Sequence, residues 1–285
     1  MSCLDAVRRY NIRPEETVVE IFYFSGTGNS LHVARELQLR FSDALLIPIA
    51  SLVRKETFTS TADVVGLVFP IHALTIPWQV KRFLEKATFS PTSYKFAIAT
   101  RICFATVFAN IDRLLAKQNT SLDAHFCFEM PETYVPLFQT YSQEQFAHVE
   151  AQMLSHLEMI SSTVANRGAY RPKDPYAWLL FSRIIYPLTT AWFQRVRFPN
   201  MERSFYADDN CNGCGICERI CLSSRIRMES RRPVWQSDVH CSYCFACLHY
   251  CPAQAIQIAG RNTVTKGRYH HPAITINDIA SQKRT

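Results

Sequence analysis

Residues 22–30 read FYFSGTGNS. An apolar run from Val18 to Phe24 stops at six small or polar residues, Ser25 to Ser30, and a helical pattern follows from Asn29 to Arg40. The stretch therefore predicts a strand, a tight loop and a helix, and the loop chemistry can be read by elimination. A nucleoside triphosphate loop needs Gly-Lys-Ser/Thr, whereas Gly28 is followed by Asn29 and Ser30. A dinucleotide fingerprint needs a third glycine where Leu31 stands. It also needs an acidic residue at the end of the second strand, where Ile47-Pro48-Ile49-Ala50 stands. A phosphate monoester remains. Gly26 and Gly28 would let the chain turn tightly and approach the anion. The first amides of the helix and its dipole would face it. Ser25, Thr27 and Ser30 could donate hydroxyls, and Asn29 could brace the turn. An ordinary strand-to-helix turn needs only one glycine and one cap.

Outward from this loop the first half alternates. Apolar, β-branched runs lie at Val18–Phe24, Ala44–Ile49, Val64–Phe69, Phe96–Thr100 and Ala124–Phe128. Helical patterns lie at Asn29–Arg40, Trp78–Ala87, Ala105–Lys117 and Gln143–Ala165. Strands alternating with helices of this length imply βαβ units and a parallel sheet. Near-continuous apolar strands agree, because such sheets are covered on both faces. The expected fold is α/β, a flavodoxin-like doubly wound five-stranded parallel sheet in the order 2-1-3-4-5 over residues 1–168. Residues 169–203, rich in aromatics and proline, should form a helical interdomain segment. Residues 204–262 should form a small α+β domain. Residues 263–285 read as a polar, basic tail, solvated or loosely docked.

The chain has 11 cysteines, and eight of them fall between Cys211 and Cys251. Clustered cysteines without a secretory leader argue for metal rather than disulfides. CNGCGICERIC runs from Cys211 to Cys221, and CSYCFACLHYCP from Cys241 to Pro252. Each is C-x2-C-x2-C-x3-C. Three cysteines at this spacing wrap one corner of a four-iron cubane, and the fourth reaches the neighbouring cluster. Cys211, Cys214, Cys217 and Cys251 should therefore hold one [4Fe–4S] cluster. Cys241, Cys244, Cys247 and Cys221 should hold the other. Zinc sites instead favour two separated pairs of cysteines. Pro252 follows Cys251, whereas Leu222 follows Cys221, which should alter the local turn. His240, His249 and Trp235 read as packing or solvent-facing residues.

The SGTGNS loop resembles the flavin mononucleotide phosphate loop of flavodoxins, and the cysteine block resembles two-cluster bacterial ferredoxins. Together the chain resembles the flavodoxin-fused ferredoxin family, and MPETYVPLF before the fifth helix is similar to a segment of that family. The resemblance implies FMN held at its phosphate by Ser25, Gly26, Thr27, Gly28, Asn29 and Ser30. It implies that the ring lies against Pro70, Ile71, His72 and Ala73, and against Thr100, Arg101, Ile102 and Cys103. His72 could hydrogen-bond the flavin or be a plain loop residue. Arg101 could face the ring or the surface, and Cys103 could be a small hydrophobe. Relatives usually carry glycines near Thr75 and near Ile102–Cys103, which this chain lacks.

A flavin beside two clusters implies an electron-transfer protein whose partners are redox donors or acceptors such as a ferredoxin or an oxidoreductase, with a homodimer allowed. A flavin-dependent reductase fed by the clusters is a second reading, and an iron–sulfur sensor or docking module without flavin is a third. No general acid, nucleophile or hydrolytic metal constellation stands out. The formal charge of +7 comes with no basic stripe interleaved with aromatics, so no nucleic-acid partner is expected. Ala177–Val196 is greasy, but Arg183, Pro187 and Arg195 interrupt it, so a packed helix is expected rather than a membrane span. The first twenty residues show no apolar signal core, so the cytoplasm is expected.

Overall fold

Five strands form the central sheet of the computed structural model. They are Val19–Tyr23 (β1), Leu45–Pro48 (β2), Val64–Pro70 (β4), Tyr94–Thr100 (β6) and Ala124–Phe128 (β7). All are parallel, in the order β2-β1-β4-β6-β7. Counting sheet members alone, this is 2-1-3-4-5, consistent with a flavodoxin-like core. Every residue of β6 is buried, as expected of a sheet covered on both faces. The structure describes residues 17–41, 43–72, 75–100, 106–173 and 186–284. Ala73, Arg101, Ile102 and Cys103 lie outside them, as do residues 174–185 of the interdomain segment.

The helices follow from right-handed crossovers. Asn29–Arg40 (α1) leads the chain toward β2, and Trp78–Lys86 (α3) and Thr106–Leu115 (α4) lead it the other way, toward β6 and β7. The two directions put helices on opposite faces. Gln143–Ala165 (α5) packs on α1, and α3 packs on α4. The Ser142 hydroxyl accepts from the Gln145 amide while the Gln145 side chain accepts from the Ser142 amide, a capping box that starts α5. A short helix, Ile49–Leu52 (α2), and a side pair of strands were not legible in the sequence. Phe58–Ser60 (β3) and Ala87–Phe89 (β5) pair in parallel outside the main sheet. Three residues are too few to display an alternating pattern.

After α5 the chain forms Tyr186–Trp192 (α6), a π-helical turn Phe193–Arg197, and Phe198–Glu202 (α7). Phe198 and Met201 join a second apolar cluster with Val135 and residues of the cysteine domain. That domain is two copies of one motif. Phe205–Ala207 (β8) pairs antiparallel with Ile256–Ile258 (β11), and Ile226–Glu229 (β9) pairs antiparallel with Arg232–Trp235 (β10). The short helices Ile216–Arg219 (α8) and Ala246–His249 (α9) follow the cysteine loops and touch each other. Exchanging the halves maps β8 onto β10 and β9 onto β11.

The last segment is not the loosely held tail expected from its polarity. Thr263, His271, Ile274, Ile279 and Gln282 are buried. Ile276–Ser281 (α10) begins on a Thr275–Asp278 capping box. Ile274, Ile279 and Ala280 join the core of the first domain, together with Ile220, Leu222, Ala246 and Tyr250 of the cysteine domain. One apolar core thus runs through all three parts. Among the described residues no helix is long and apolar enough to cross a membrane.

Candidate functional site

The loop between β1 and α1 lies at the carboxyl edge of the sheet, where ligands sit in open α/β folds. Ser25, Thr27, Asn29 and Ser30 are all buried. Gly28 takes φ 101°, a left-handed conformation natural to glycine. The Ser30 and Thr100 hydroxyls lie 2.8 Å apart, tying the loop to the end of β6. Asn29 braces the turn from both ends. Its Nδ2 donates to the Pro131 carbonyl at 3.1 Å, and its Oδ1 accepts from the Tyr269 hydroxyl at 2.8 Å. Among the described residues, the N–H groups of Gly26, Thr27, Gly28, Asn29 and Ser30 meet no protein acceptor. Buried amides rarely stay unpaired, and a row of them at a helix start suits an anion.

The two glycines have further reasons to be there. A Cβ at Gly26 would stand 2.3 Å from the Cys244 carbonyl oxygen. A Cβ at Gly28 would stand 2.9 Å from Cβ atoms of His271 and Ile274. The expected role, room for a ligand, is thus joined by room for the second cysteine loop at Gly26 and for the C-terminal segment at Gly28. That segment is tied down by backbone contacts. Gln282 Oε1 accepts from the Ser25 amide at 3.1 Å and Gln282 Nε2 donates to the Ser25 carbonyl at 2.8 Å. The His271 amide donates to the Thr27 carbonyl at 2.8 Å.

A cavity of ≈ 290 Å³ opens from this loop. Ser25, Gly26, Thr27, Asn29, Ser30, Pro70, Ile71, His72 and Thr100 line it, and Gly28 does not. Met130 to Tyr134, Leu137, Phe138, Phe193, Phe198, and Tyr243, Cys244 and Phe245 complete it. The cavity therefore touches the sheet edge, the interdomain helix and the second cysteine loop at once. His72 and Thr75 exchange backbone hydrogen bonds at 2.9 and 3.0 Å, closing the turn after β4. Tyr243 stacks on Phe198, centroids 4.1 Å apart, and forms one wall.

The eight cysteines fall into two groups. Cys211, Cys214, Cys217 and Cys251 line one small cavity. Burial pushes the Cys217 thiol up to about 12, and the charges adding to this are Cys251, Cys214 and Cys211. Burial likewise pushes the Cys247 thiol well up, with Cys221, Cys241 and Cys244 leading the charges that add, followed by Cys217 of the first group. Among the described residues no three cysteine sulfurs lie within 4.8 Å of one another. A tetrahedral zinc with bonds of about 2.3 Å would hold its sulfurs about 3.8 Å apart. Each group offers four thiols, a donor set that suits an iron–sulfur centre as well as zinc.

The loops match residue for residue. Gly213 and Tyr243 have φ 73° and 52°, and Gly215 and Phe245 have φ 74° and 55°. An aromatic residue at such an angle is strained and must be held by its surroundings. Tyr243 is held by Phe198 and by a hydrogen bond from its hydroxyl to Glu202 at 2.6 Å. Past the fourth cysteines the match continues. The Arg225 amide donates to Cys221 Sγ at 3.2 Å, and the Ala255 amide donates to Cys251 Sγ at 3.3 Å. Ser224 and Gln254 both take positive φ, 58° and 49°. The altered turn expected from Leu222 in place of proline is therefore absent. Leu222 is buried in the shared core instead, so that position serves packing.

Cys214 is exposed, whereas Cys244 is pressed against Gly26. Trp78 Nε1 donates to the Cys241 carbonyl at 2.8 Å, and Gln79 donates to Ser242, so the start of α3 also grips the second loop. His249 is buried, with Nε2 2.9 Å from the Thr133 carbonyl and Nδ1 accepting from the Tyr269 amide at 3.1 Å, whereas His240 is exposed. Trp235 is partly buried against Phe205. The sequence reading missed the 130–134 wall and the C-terminal segment. A signal for the latter was present, since Thr275-x-x-Asp278 before Ile279 is a helix-start pattern.

No family model and no curated protein matches the chain. Among solved structures, the crystal structure of Smu.1420 from Streptococcus mutans UA159 is similar at 12% identity and a TM-score of 0.34. The match covers 53% of this chain and 100% of that one. A likeness of that size says nothing about the site.

Proposed function

We propose that this chain is an electron-transfer flavo-iron–sulfur protein, with FMN in the ≈ 290 Å³ cavity and a [4Fe–4S] cluster at each cysteine group. The observation that carries the reading is that one cavity is lined both by the Ser25–Ser30 loop and by the Tyr243-Cys244-Phe245 loop. When bound, FMN supplies two-electron chemistry and each cluster one-electron chemistry. The chain's own residues supply the rest. The amides of Gly26 to Ser30 and the hydroxyls of Ser25 and Thr27 would receive the phosphate. Pro70, Ile71 and Phe198 would exclude water from the ring, and Tyr243 would stand between ring and cysteine loop. The exposed Cys214 side is the face a ferredoxin or oxidoreductase could approach, and the Cys241 group lies inward, beside the cavity.

A second reading, a flavin-dependent reductase, is favoured by one observation. A further cavity of ≈ 500 Å³ shares His72, Phe198 and Tyr243 with the first and is also lined by Lys81, Arg203, Arg225 and His240. Glu202 also lines it and pairs with Arg225, which leaves Lys81 and Arg203 as the cations that suit a small anionic substrate.

Anaerobic purification followed by a redox titration with visible and EPR detection tests the proposal. About one releasable FMN and eight irons per chain are expected. Colourless protein, or zinc in place of iron, would refute it. Stopped-flow oxidation of the reduced protein separates the two readings. Rapid turnover with one small anion would replace the carrier by the reductase.

A further inference from the structure

His32 on the first turn of α1, Glu150 on α5 and His271 on the C-terminal segment bring their ligand atoms within 4.8 Å of one another. His32 Nε2 lies 2.7 Å from Glu150 Oε1, and His271 Nε2 lies 3.4 Å from Oε2. The two imidazoles stack with centroids 3.8 Å apart. Both histidines are buried, and neither lines the cavities described above. We infer that these three side chains form a binding site for a divalent first-row cation, Zn2+ in particular, separate from the cysteine groups.

Two imidazoles and a carboxylate are a donor set suited to such ions. Glu150 supplies the carboxylate, and both rings face it through Nε2. A tetrahedral ion with bonds of about 2.1 Å sets its ligand atoms about 3.4 Å apart. The two rings meet different oxygens of Glu150, His32 Nε2 at 2.7 Å from Oε1 and His271 Nε2 at 3.4 Å from Oε2, so one ion would take the carboxylate through both oxygens or draw both rings toward one of them. There are two local costs. The rings, stacked at 21° to one another, must splay so that both in-plane lone pairs meet one ion. The Ala273 amide points at His271 Nδ1 from 3.3 Å, and a metal on Nε2 would leave the proton on Nδ1, opening that long contact.

The three ligands come from three parts of the chain. His271 also donates its amide to Thr27, and its Cβ lies against Gly28. A cation here would staple the C-terminal segment to α1 and α5 across the back of the Ser25–Ser30 loop.

The test uses the full chain, purified anaerobically, dialysed against EDTA, exposed to ZnCl2 and desalted. The wild type is expected to retain about one zinc per chain. His32→Gln and Glu150→Gln, which keep hydrogen-bonding side chains, are expected to lose it by roughly tenfold or more with iron unchanged. Zinc-edge absorption should show nitrogen and oxygen neighbours at about 2.0–2.1 Å, not sulfur at about 2.3 Å. Zinc should also slow proteolysis of residues 263–284 in the wild type and not in the variants. Zinc not retained by the wild type, retained equally by the variants, or bound through sulfur alone would overturn the site and leave a clasp held by protons. If the iron reading failed and the thiols took zinc, sulfur-bound zinc would appear equally in the wild type and the variants, so the wild-type-minus-variant difference, with its nitrogen and oxygen neighbours, still reads this site and the two failures are distinguishable.

Discussion

Gly26 lies directly against Cys244: a methyl group at Gly26 would stand 2.3 Å from the Cys244 carbonyl oxygen and 2.6 Å from its Cβ. The glycine loop of the first domain and the second cysteine loop are thus one packed unit, and several measurements should reveal it.

Gly26→Ala forces these backbones apart. Overpacking of this kind costs about 1–3 kcal/mol. Thermal unfolding should shift down by several degrees, and the EPR signal assigned to the Cys244 group should change while that of the Cys211 group stays. Gly168→Ala is the control, because its added Cβ would meet Thr163 only at an ordinary 3.4 Å. Equal effects in the two variants would contradict the packed interface.

Gln282→Leu removes both hydrogen bonds to the Ser25 backbone. A buried N–H and C=O left unpaired cost about 1–3 kcal/mol each. Faster amide exchange along α10 and faster release of bound FMN are expected, with iron content unchanged.

Asp278 caps α10 and pairs with Arg35. Burial would raise its pKa, yet the Arg35 and Thr275 hydrogen bonds outweigh this and hold it below the ordinary 3.8. A folded-state value below the unfolded one means stability that is present above the unfolded value, 3.8, and lost as pH falls from there through the lower folded value. Between pH 5 and 8 this pair should contribute no slope. Asp278→Asn should loosen α10 by about 1 kcal/mol across that whole range, through the capping box and the partly buried ion pair together. Hydrogen exchange of Ile279 and Ala280 reads the difference.

Cysteine substitutions should sort by space, not by position along the chain. Cys251→Ala should disturb the same EPR signal as Cys214→Ala, and Cys221→Ala the same signal as Cys247→Ala. Each should leave about half the iron. If Cys251→Ala instead tracks Cys247→Ala, the crossed grouping is wrong.

Much of the framework could be read from residues in order. Asn29–Arg40, Gln143–Ala165 and Ala124–Phe128 appear in the structure at the boundaries their periodicity suggests. The β3–β5 pair could not be seen, since each strand has three residues and pairs only with the other. Leu222 looked like a departure from a turn pattern. It is a core residue, and the turn survives because Ser224 adopts the same left-handed angle as Gln254.

The amino-acid order alone determined what depends on near neighbours: apolar periodicity, a glycine loop behind a strand, and two C-x2-C-x2-C-x3-C runs. These follow from backbone geometry over a few residues. Only the folded chain decided what meets across it. His32 and Glu150 are 118 residues apart and Glu150 and His271 another 121, and Gln282 reaches Ser25 over 257. No local pattern encodes such meetings, because they depend on the path of every element between them. Polarity made the C-terminal segment look like a solvated tail, yet its few isoleucines and its backbone partners were enough to bury it over the loop with which the chain's reading begins.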